Sequence, residues 1–140
     1  MHATINGWVV KYDEPGLNGI RFAPGCFHNN NDTFVPVIDD RKGALTIMPD
    51  NIVGYAELHE YDDGVYCSCY ISDKNRAESF IRRITFCPPK MFTFQANRIE
   101  YQDMRSRRKV LHGVIRTIGI DYIEVPTSVI ENISIIKENN

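Results

Sequence analysis

The chain has 140 residues, 43% of them hydrophobic, which is enough for one domain with a real core and too few for two comfortable domains. Sixteen basic and eighteen acidic residues give a formal charge of -2, which excludes a global electrostatic case for binding nucleic acid or an anionic membrane. No stretch approaches the roughly 18 apolar residues of a membrane span, and the N-terminal MHATINGWVV lacks the pattern of a signal peptide. We therefore expect a soluble, intracellular protein with a single domain over residues 1–140.

Short apolar runs separated by turn residues occur along the whole chain, a pattern typical of a compact β-rich domain. The predicted strands are Thr4–Lys11, Phe34–Ile38, Ile52–His59, Val65–Ile71, Met91–Ala96, Val110–Ile118, Ile120–Val125 and Ile133–Ile136. Asp63 and Gly64 stand between two of these runs, and an Asp-Gly pair in that position predicts a β-hairpin.

One segment, SDKNRAESFIRRI from Ser72 to Ile84, has the apolar spacing of a helix. Ser72 is a candidate N-cap, and paired prolines at 88 and 89 end the helix. The apolar residues that recur on one face are Ala77, Phe80, Ile81 and Ile84. The predicted fold class is therefore mainly β with one or two helices (α+β), a partly open β-barrel or sandwich closed by a helix.

The four cysteines do not form CxxC pairs. Cys67 and Cys69, in VYCSCYI, are two residues apart on a predicted strand and therefore face the same side of the sheet, with Val65 and Ile71. A metal site needs about four suitably spaced ligands, and none is completed here, so we expect buried thiols and no metal or other cofactor. For Cys87, just before the paired prolines, a packed thiol is preferred over a nucleophile because it has no evident base partner.

Several motifs occur in a familiar order over residues 4–125: INGWVVKYDEPG, RFAPGCF, VPVIDDR, IVGYAELHEYDDGVYCSCYI and then the amphipathic helix. This order resembles the prohead (capsid maturation) proteases of tailed phages, whose fold is shared with the herpesvirus assemblins. Each motif alone is weakly specific, and the resemblance rests on their order. It implies a barrel of the prohead protease type, and a serine protease that cleaves scaffold and capsid proteins inside an assembling head.

The resemblance also implies where the catalytic residues would stand. The first histidine belongs at the end of the VPVIDDR strand, where this chain has Asp40, or Arg41 if the register slips by one. The nucleophilic serine belongs on the strand after the helix, where this chain has Thr93. His112 falls near the position of the second histidine of assemblins, and Glu124 matches a late acidic position of the family.

These replacements weaken the case for catalysis. A hydroxyl nucleophile needs a base with a pKa near the operating pH, and a carboxyl group such as that of Asp40 has an unperturbed pKa of about 3.9. The guanidinium of Arg41 stays protonated. A Thr93–His112 dyad stays open at this point, but the favoured interpretation of Thr93 is a β-branched residue in a strand.

The one basic cluster of the sequence is MRSRRK, which we predict to be a loop between two strands. Its cations, Arg105, Arg107, Arg108 and Lys109, form a possible interaction loop. Because the chain as a whole is nearly neutral, we expect this loop to be solvated or to contact protein rather than nucleic acid.

Three functional hypotheses follow. The first, which the substitutions favour, is a non-catalytic virion structural or assembly protein that binds capsid or other virion proteins, as a homo-oligomer or bound to the capsid, in the virion or in the host cytoplasm during assembly. The second is an active capsid-maturation protease of serine/threonine type that uses Thr93 with His112 or Asp40. The third is an unrelated small β-barrel binding module.

Overall fold

The structure, a computed structural model, describes residues 1–16, 19–39, 51–72, 77–104 and 107–137, with the backbone alone at 103, 104 and 107. These residues form eight strands, an α-helix and a short 3₁₀ helix, His28–Asn30. The strands and helix, in chain order, are β1 (His2–Lys11), β2 (Arg21–Phe22), β3 (Thr33–Ile38), β4 (Ile52–Tyr61), β5 (Gly64–Ser72), α1 (Glu78–Phe86), β6 (Met91–Met104), β7 (Arg107–Asp121) and β8 (Val129–Ile136).

The described strands belong to one sheet in the order β2-β7-β3-β4-β5-β1-β8, with β6 pairing on β7. β2 and β3 run parallel to β7 and pair with different ends of it, whereas all the other pairs are antiparallel. The sheet curls into a half-barrel, so the prediction of a mainly β fold with a helix is confirmed.

One hydrophobic core fills the concave side of the curled sheet. Alternation along the strands supplies most of it, and α1 adds the apolar face that the sequence predicted. Fully buried side chains of this size each contribute roughly 1.5–3 kcal/mol to stability. The largest of them are Phe27, Phe80, Phe92, Ile5, Leu58, Ile71, Ile81, Ile84, Ile115 and Ile118.

Ser128 joins the two ends of the curled sheet. Its buried hydroxyl accepts a hydrogen bond from the Phe92 amide of β6 at 2.9 Å and lies 3.0 Å from the Trp8 carbonyl oxygen of β1. Close by, the Ile130 amide donates to the Lys90 carbonyl oxygen at 2.9 Å. The beginning of β6 is therefore attached to β1 and β8, which brings the strand carrying Thr93 next to the first strand of the chain.

Most predicted strands are confirmed with small changes at their ends, and the hairpin at YDDG is confirmed as the turn between β4 and β5. Its two loop residues are Asp62 and Asp63, because Gly64 already pairs with Tyr61 as the first residue of β5. The two-residue strand β2, in the RFAPGCF segment, was not predicted. A pair of residues is too short to show an alternation pattern, and it forms only because Lys109 and Val110 of β7 lie beside it.

The predicted start of the helix is wrong. Ser72 is the last residue of β5, where it pairs with His2 of β1, and the helix begins at Glu78 after an Ala77 N-cap without a side-chain capping bond. Ser72 is therefore part of the β1–β5 ladder and does not cap the helix. The helix ends at Phe86, two residues later than predicted and directly before Cys87 and the paired prolines.

The prediction of two separate strands, Val110–Ile118 and Ile120–Val125, is also wrong. β7 continues through Gly119, which pairs with Thr93 of β6 in an unbroken part of the ladder, and it ends at Asp121. The Asp121 carboxylate accepts a hydrogen bond from the Tyr122 amide at 2.7 Å, which turns the chain away from the sheet. The residues predicted to extend this strand to Val125 are therefore outside it, apart from an isolated bridge between Val125 and Ser128.

The basic cluster is not simply a loop. β6 continues to Met104, well past the predicted end at Ala96, and β7 begins at Arg107, so Arg107, Arg108 and Lys109 lie on a strand. The pairing of Asp103 with Arg108 and of Met104 with Arg107 extends the hairpin. The described side chains nearest this end of the hairpin, Tyr101, Gln102 and Arg108, are exposed.

The cysteine predictions are confirmed at three positions and wrong at the fourth. Cys26, Cys67 and Cys69 are buried free thiols, and the sulfurs of Cys67 and Cys69 lie 3.8 Å apart on the core face. Cys87 is exposed, because α1 ends there and the prolines carry the chain away from the core. In the part of the chain that the structure describes, no helix is long and apolar enough to cross a membrane.

Candidate functional site beside the end of strand β3

The position predicted for a nucleophile lies two strands away from the end of β3. Val37, Ile118 and Phe94 are side by side across β3, β7 and β6. One residue further along each strand, Ile38, Gly119 and Thr93 lie side by side in the same way. Because neighbouring strands are about 4.8 Å apart, Ile38 and Thr93 are roughly 10 Å from each other. Since Val37 and Phe94 face the core, these three residues face the opposite side of the sheet.

Two threonine hydroxyls on this side of the sheet are buried without a hydrogen-bond partner. They belong to Thr93 and to Thr117, which is 1% exposed and lies diagonally across the ladder from Thr93. A buried hydroxyl without a partner costs free energy. The sequence analysis missed Thr117, although the alternation in TIGID already puts it on the same face as Gly119.

The structure does not bring His112 to Thr93. His112 pairs with Glu100, whereas Thr93 pairs with Gly119, seven residues further along β7. A rise of about 3.3 Å per residue makes this separation roughly 20 Å. The His112 ring lies beside that of His28, with centroids 5.5 Å apart.

The other predicted base positions, Asp40 and Arg41, lie outside the described residues. The residue before them, Asp39, is 2% exposed, and its carboxylate accepts a hydrogen bond from the Arg83 guanidinium of α1 at 3.0 Å. This ion pair holds the helix against the end of β3. The Asp39 carboxylate therefore serves a structural contact with the helix.

A second polar cluster surrounds His59. Its Nδ1 lies 2.8 Å from an Asp32 carboxylate oxygen and its Nε2 lies 3.1 Å from a Glu57 carboxylate oxygen. His59 and Glu57 are two residues apart in β4 and therefore lie on the same face of the sheet. Both ring nitrogens therefore lie within hydrogen-bonding distance of carboxylate oxygens.

A third cluster is buried beneath β2. The Tyr12 hydroxyl donates to a Glu60 carboxylate oxygen at 2.5 Å and accepts a hydrogen bond from the Phe27 amide. Burial, followed by the hydrogen bond to Glu60, raises the pKa of Tyr12. Burial and the charge of Glu60 raise the pKa of Cys26 to about 12, which keeps this thiol protonated and unreactive at neutral pH.

The remaining predicted residues are on separate parts of the surface. Arg105 lies outside the described residues and the side chain of Arg107 is not described, whereas Arg108 packs its guanidinium against the Tyr101 ring and Lys109 lies 3.6 Å from an Asp13 carboxylate oxygen. Glu124 is exposed after β7 and lines a cavity of about 570 Å³ together with Lys90, Ser128 and Ile130. None of these described side chains makes a hydrogen bond with the Thr93 hydroxyl.

Among the described residues, no group of three His, Cys, Asp or Glu side chains is placed to hold a metal ion. A comparison with protein-family models finds no match for the chain, and a search of curated proteins finds none either.

Proposed function

We propose that this chain is a non-catalytic structural or assembly protein of a tailed-phage virion, built on a fold of the prohead protease type, that binds capsid or other virion proteins. The motif order of the sequence is the basis of the proposal. It is supported by the mainly β curled sheet, by the helix between β5 and β6, and by the position of Thr93 two strands from the end of β3.

The observation that carries the non-catalytic part is the state of the Thr93 hydroxyl. It is buried without any hydrogen-bond partner, and His112 is roughly 20 Å away along the ladder. A threonine becomes a nucleophile only when a base within hydrogen-bonding reach takes its proton. This geometry supports a packed threonine where the resemblance implies a catalytic serine.

The binding part is supported by aromatic side chains on the outer face of the sheet. Phe34 of β3, Tyr55 of β4 and Tyr70 of β5 are 63%, 50% and 49% exposed, and Tyr55 pairs directly with Tyr70. Tyrosine and phenylalanine are enriched at protein interfaces, where an exposed cluster of them marks a contact surface. We name these three residues the outer aromatic patch.

The test is co-expression with the capsid and scaffold proteins encoded in the same genome, followed by intact-mass analysis and sedimentation of the assembled heads. We expect no cleavage, identical masses with Thr93→Val, and sedimentation of the chain with the heads. The double variant Tyr55→Lys, Tyr70→Lys should reduce sedimentation with the heads at least about tenfold, because it places two charges in the contact surface. Tyr101→Lys, at a tyrosine of similar exposure on β6, is the matched control and should have no effect.

Two results would overturn the proposal. Cleavage of capsid or scaffold protein that disappears in Thr93→Val would show an active maturation protease. Absence of the wild-type chain from the heads, together with no binding to either protein, would leave the small β-barrel binding module.

A further inference from the structure

Three aromatic side chains form a corner on the outer face of the sheet, separate from the outer aromatic patch. Trp8 of β1 and Tyr66 of β5 are direct partners in the ladder, and Tyr61 is the last residue of β4. Trp8 and Tyr66 are half-buried, and Tyr61 is 54% exposed. Their convergence depends on the β4–β5 hairpin, which returns the chain next to β1.

The rings are arranged as the walls of a small cavity. The Trp8 ring centroid lies 5.9 Å from that of Tyr61 and 5.2 Å from that of Tyr66, with interplanar angles of 70° and 85°. The cavity has a volume of about 360 Å³ and is lined by these three rings and by Asp63. Gly64 lets the indole lie close to the backbone, since a Cβ there would come within 3.2 Å of Trp8 Cε3 and 2.3 Å of the Val10 carbonyl oxygen.

Two carboxylates lie at this corner, beside Lys11, which pairs with Gly64 in the β1–β5 ladder. Asp63 lines the cavity, and Glu131 of β8 lies close enough to Tyr66 to influence its hydroxyl. Burial, followed by the negative charge of Glu131, raises the pKa of Tyr66. The faces of the aromatic rings carry partial negative charge as well, so rings and carboxylates favour the same kind of ligand, a cation within about 6 Å of the ring centroids.

We propose that the Trp8–Tyr61–Tyr66 corner is a binding site for the ammonium group of a lysine side chain on a partner protein. The aromatic rings attract the charge and cover the methylene groups of the lysine, and the Asp63 carboxylate accepts hydrogen bonds from the ammonium protons.

The geometry favours lysine over other organic cations. The nearly perpendicular ring planes face an open depression from different directions, so a compact tetrahedral ammonium can contact more than one ring, whereas the flat guanidinium of arginine binds best when it stacks on one exposed face. A quaternary ammonium has no N–H donor and therefore cannot hydrogen-bond to the adjacent carboxylate. The same carboxylates disfavour the binding of phosphates and nucleic acid.

This site uses none of the residues that carry the proposed head-assembly function, so one proposal can fail while the other holds. Variants of the outer aromatic patch test the head-assembly function, and variants of the corner test the binding of lysine.

The chain offers a direct signal for binding, because Trp8 is its sole tryptophan. The full-length protein is titrated at constant ionic strength with the peptide acetyl-Gly-Lys-Gly-amide while tryptophan emission is recorded. We expect a saturable change with a dissociation constant in the millimolar range, about fivefold or more weaker for Tyr61→Leu and for Asp63→Asn. Tyr101→Leu, at a tyrosine of similar exposure on β6, is the matched control and should bind as the wild type does. Both corner variants should fold, since Tyr61 and Asp63 are exposed and Asp63 supports Tyr12 only through its backbone carbonyl.

Three further ligands test which chemical group the corner recognises. The peptide with an Nε-acetylated lysine, the peptide with arginine in place of lysine, and tetramethylammonium should each bind at least about fivefold more weakly than the lysine peptide. Equal binding of the acetylated peptide would show that charge is not recognised, and tighter binding of arginine or tetramethylammonium would assign the corner to that cation instead. Either result would overturn the proposal, as would the absence of a saturable signal.

Discussion

The Arg83 guanidinium of α1 and the Asp39 carboxylate at the end of β3 form an ion pair at 3.0 Å, with the aspartate side chain 3% exposed. Replacing Arg83 by methionine keeps the length of the side chain but leaves a buried carboxylate without this cation. We expect the free energy of unfolding to fall by about 2–4 kcal/mol, because the buried carboxylate loses the charge and hydrogen bond of the guanidinium. Urea unfolding measures the change.

Arg82 provides the control on the same helix. Its ion pair with Glu78 is 2.6 Å long, but the side chains are 66% and 59% exposed. Arg82→Met should therefore cost less than about 0.5 kcal/mol. Equal losses in the two variants would contradict a structural role of the Arg83–Asp39 pair.

The side chain of Asn30 makes hydrogen bonds to the backbone of β7 that a neighbouring strand would otherwise make. Its side-chain amide donates to the Ile115 carbonyl oxygen at 3.0 Å, and its amide oxygen accepts from the Ile115 backbone N–H at 2.7 Å. Asn30→Ala leaves two buried backbone groups without partners, so we expect a loss of about 2–4 kcal/mol in the free energy of unfolding.

Hydrogen exchange checks the mechanism of this loss. The Ile115 amide should lose protection in Asn30→Ala more than the neighbouring amides of β7. Asn132→Ala, at an exposed asparagine of β8, should change stability by less than about 0.5 kcal/mol. Unchanged protection of Ile115 would mean that another group satisfies it.

The hydroxyls of Thr93 and Thr117 have no hydrogen-bond partner, so their removal should increase the stability of the protein. Valine has nearly the same shape as threonine without the polar atom, so Thr93→Val and Thr117→Val should each raise the free energy of unfolding by about 1 kcal/mol. Thr33→Val is the matched control with the opposite sign, since the Thr33 hydroxyl donates to the Asn30 carbonyl oxygen at 2.7 Å. Destabilisation in all three variants would show that the first two hydroxyls are bonded in solution.

The buried thiol of Cys26 makes stability depend on alkaline pH. Its pKa is raised to about 12 in the folded protein, first by burial and then by Glu60. A group whose pKa is higher in the folded state contributes its full stability below the unfolded pKa, near 9, and loses it as the pH rises toward the folded pKa. Unfolding should thus become easier above pH 9, by up to about 1.4 kcal/mol per pH unit for this group. Tyr12 and Cys67, whose pKa values are also raised, add to the loss.

Urea unfolding between pH 7 and pH 10.5 measures this slope. Cys26→Ala should be less stable at neutral pH but should lose less stability per pH unit above pH 9, because one titrating group has gone. Cys87→Ser should keep the wild-type slope. A slope that is the same in Cys26→Ala as in the wild type would contradict the assignment to Cys26.

The exposure of the cysteines predicts a reactivity pattern. Cys87 is exposed, and the other three thiols are buried. A thiol reagent such as Ellman's reagent at pH 8 should therefore modify one thiol per chain quickly in the native state and four after denaturation. Cys87→Ser should remove the fast reaction, and fast modification that persists in this variant would show that one of the buried thiols is accessible.

Local patterns predicted the faces of the strands well. The alternation in VYCSCYI correctly put Cys67 and Cys69 together in the core. The position of the hairpin between β4 and β5 was also readable, because turn residues interrupt two apolar runs. Element ends were less predictable where a neighbouring strand competes for the same residue, as at Ser72, which pairs with His2 instead of capping the helix.

Only part of the candidate site could be predicted from the sequence. The resemblance and the strand pattern located Thr93 on the strand after the helix, and the structure puts it there. The distance from Thr93 to His112 could not be predicted, because it depends on the register of β6 against β7, which includes irregularities after Gln95 and Asn97. One shifted residue in such a ladder moves every later pair.

By itself, the sequence determined that this protein is mainly β, that it has an amphipathic helix ended by paired prolines, and which residues of each strand face the core, since these depend on periodicity within a few residues. Only the tertiary structure decided which distant residues meet. Asn30 satisfies Ile115 across 85 positions, Ser128 joins β1 to β6, and Trp8 completes a corner with Tyr61 and Tyr66. The physical reason is that backbone hydrogen bonding between strands is the same for every sequence, so the choice of partner and register comes from how all the side chains pack together.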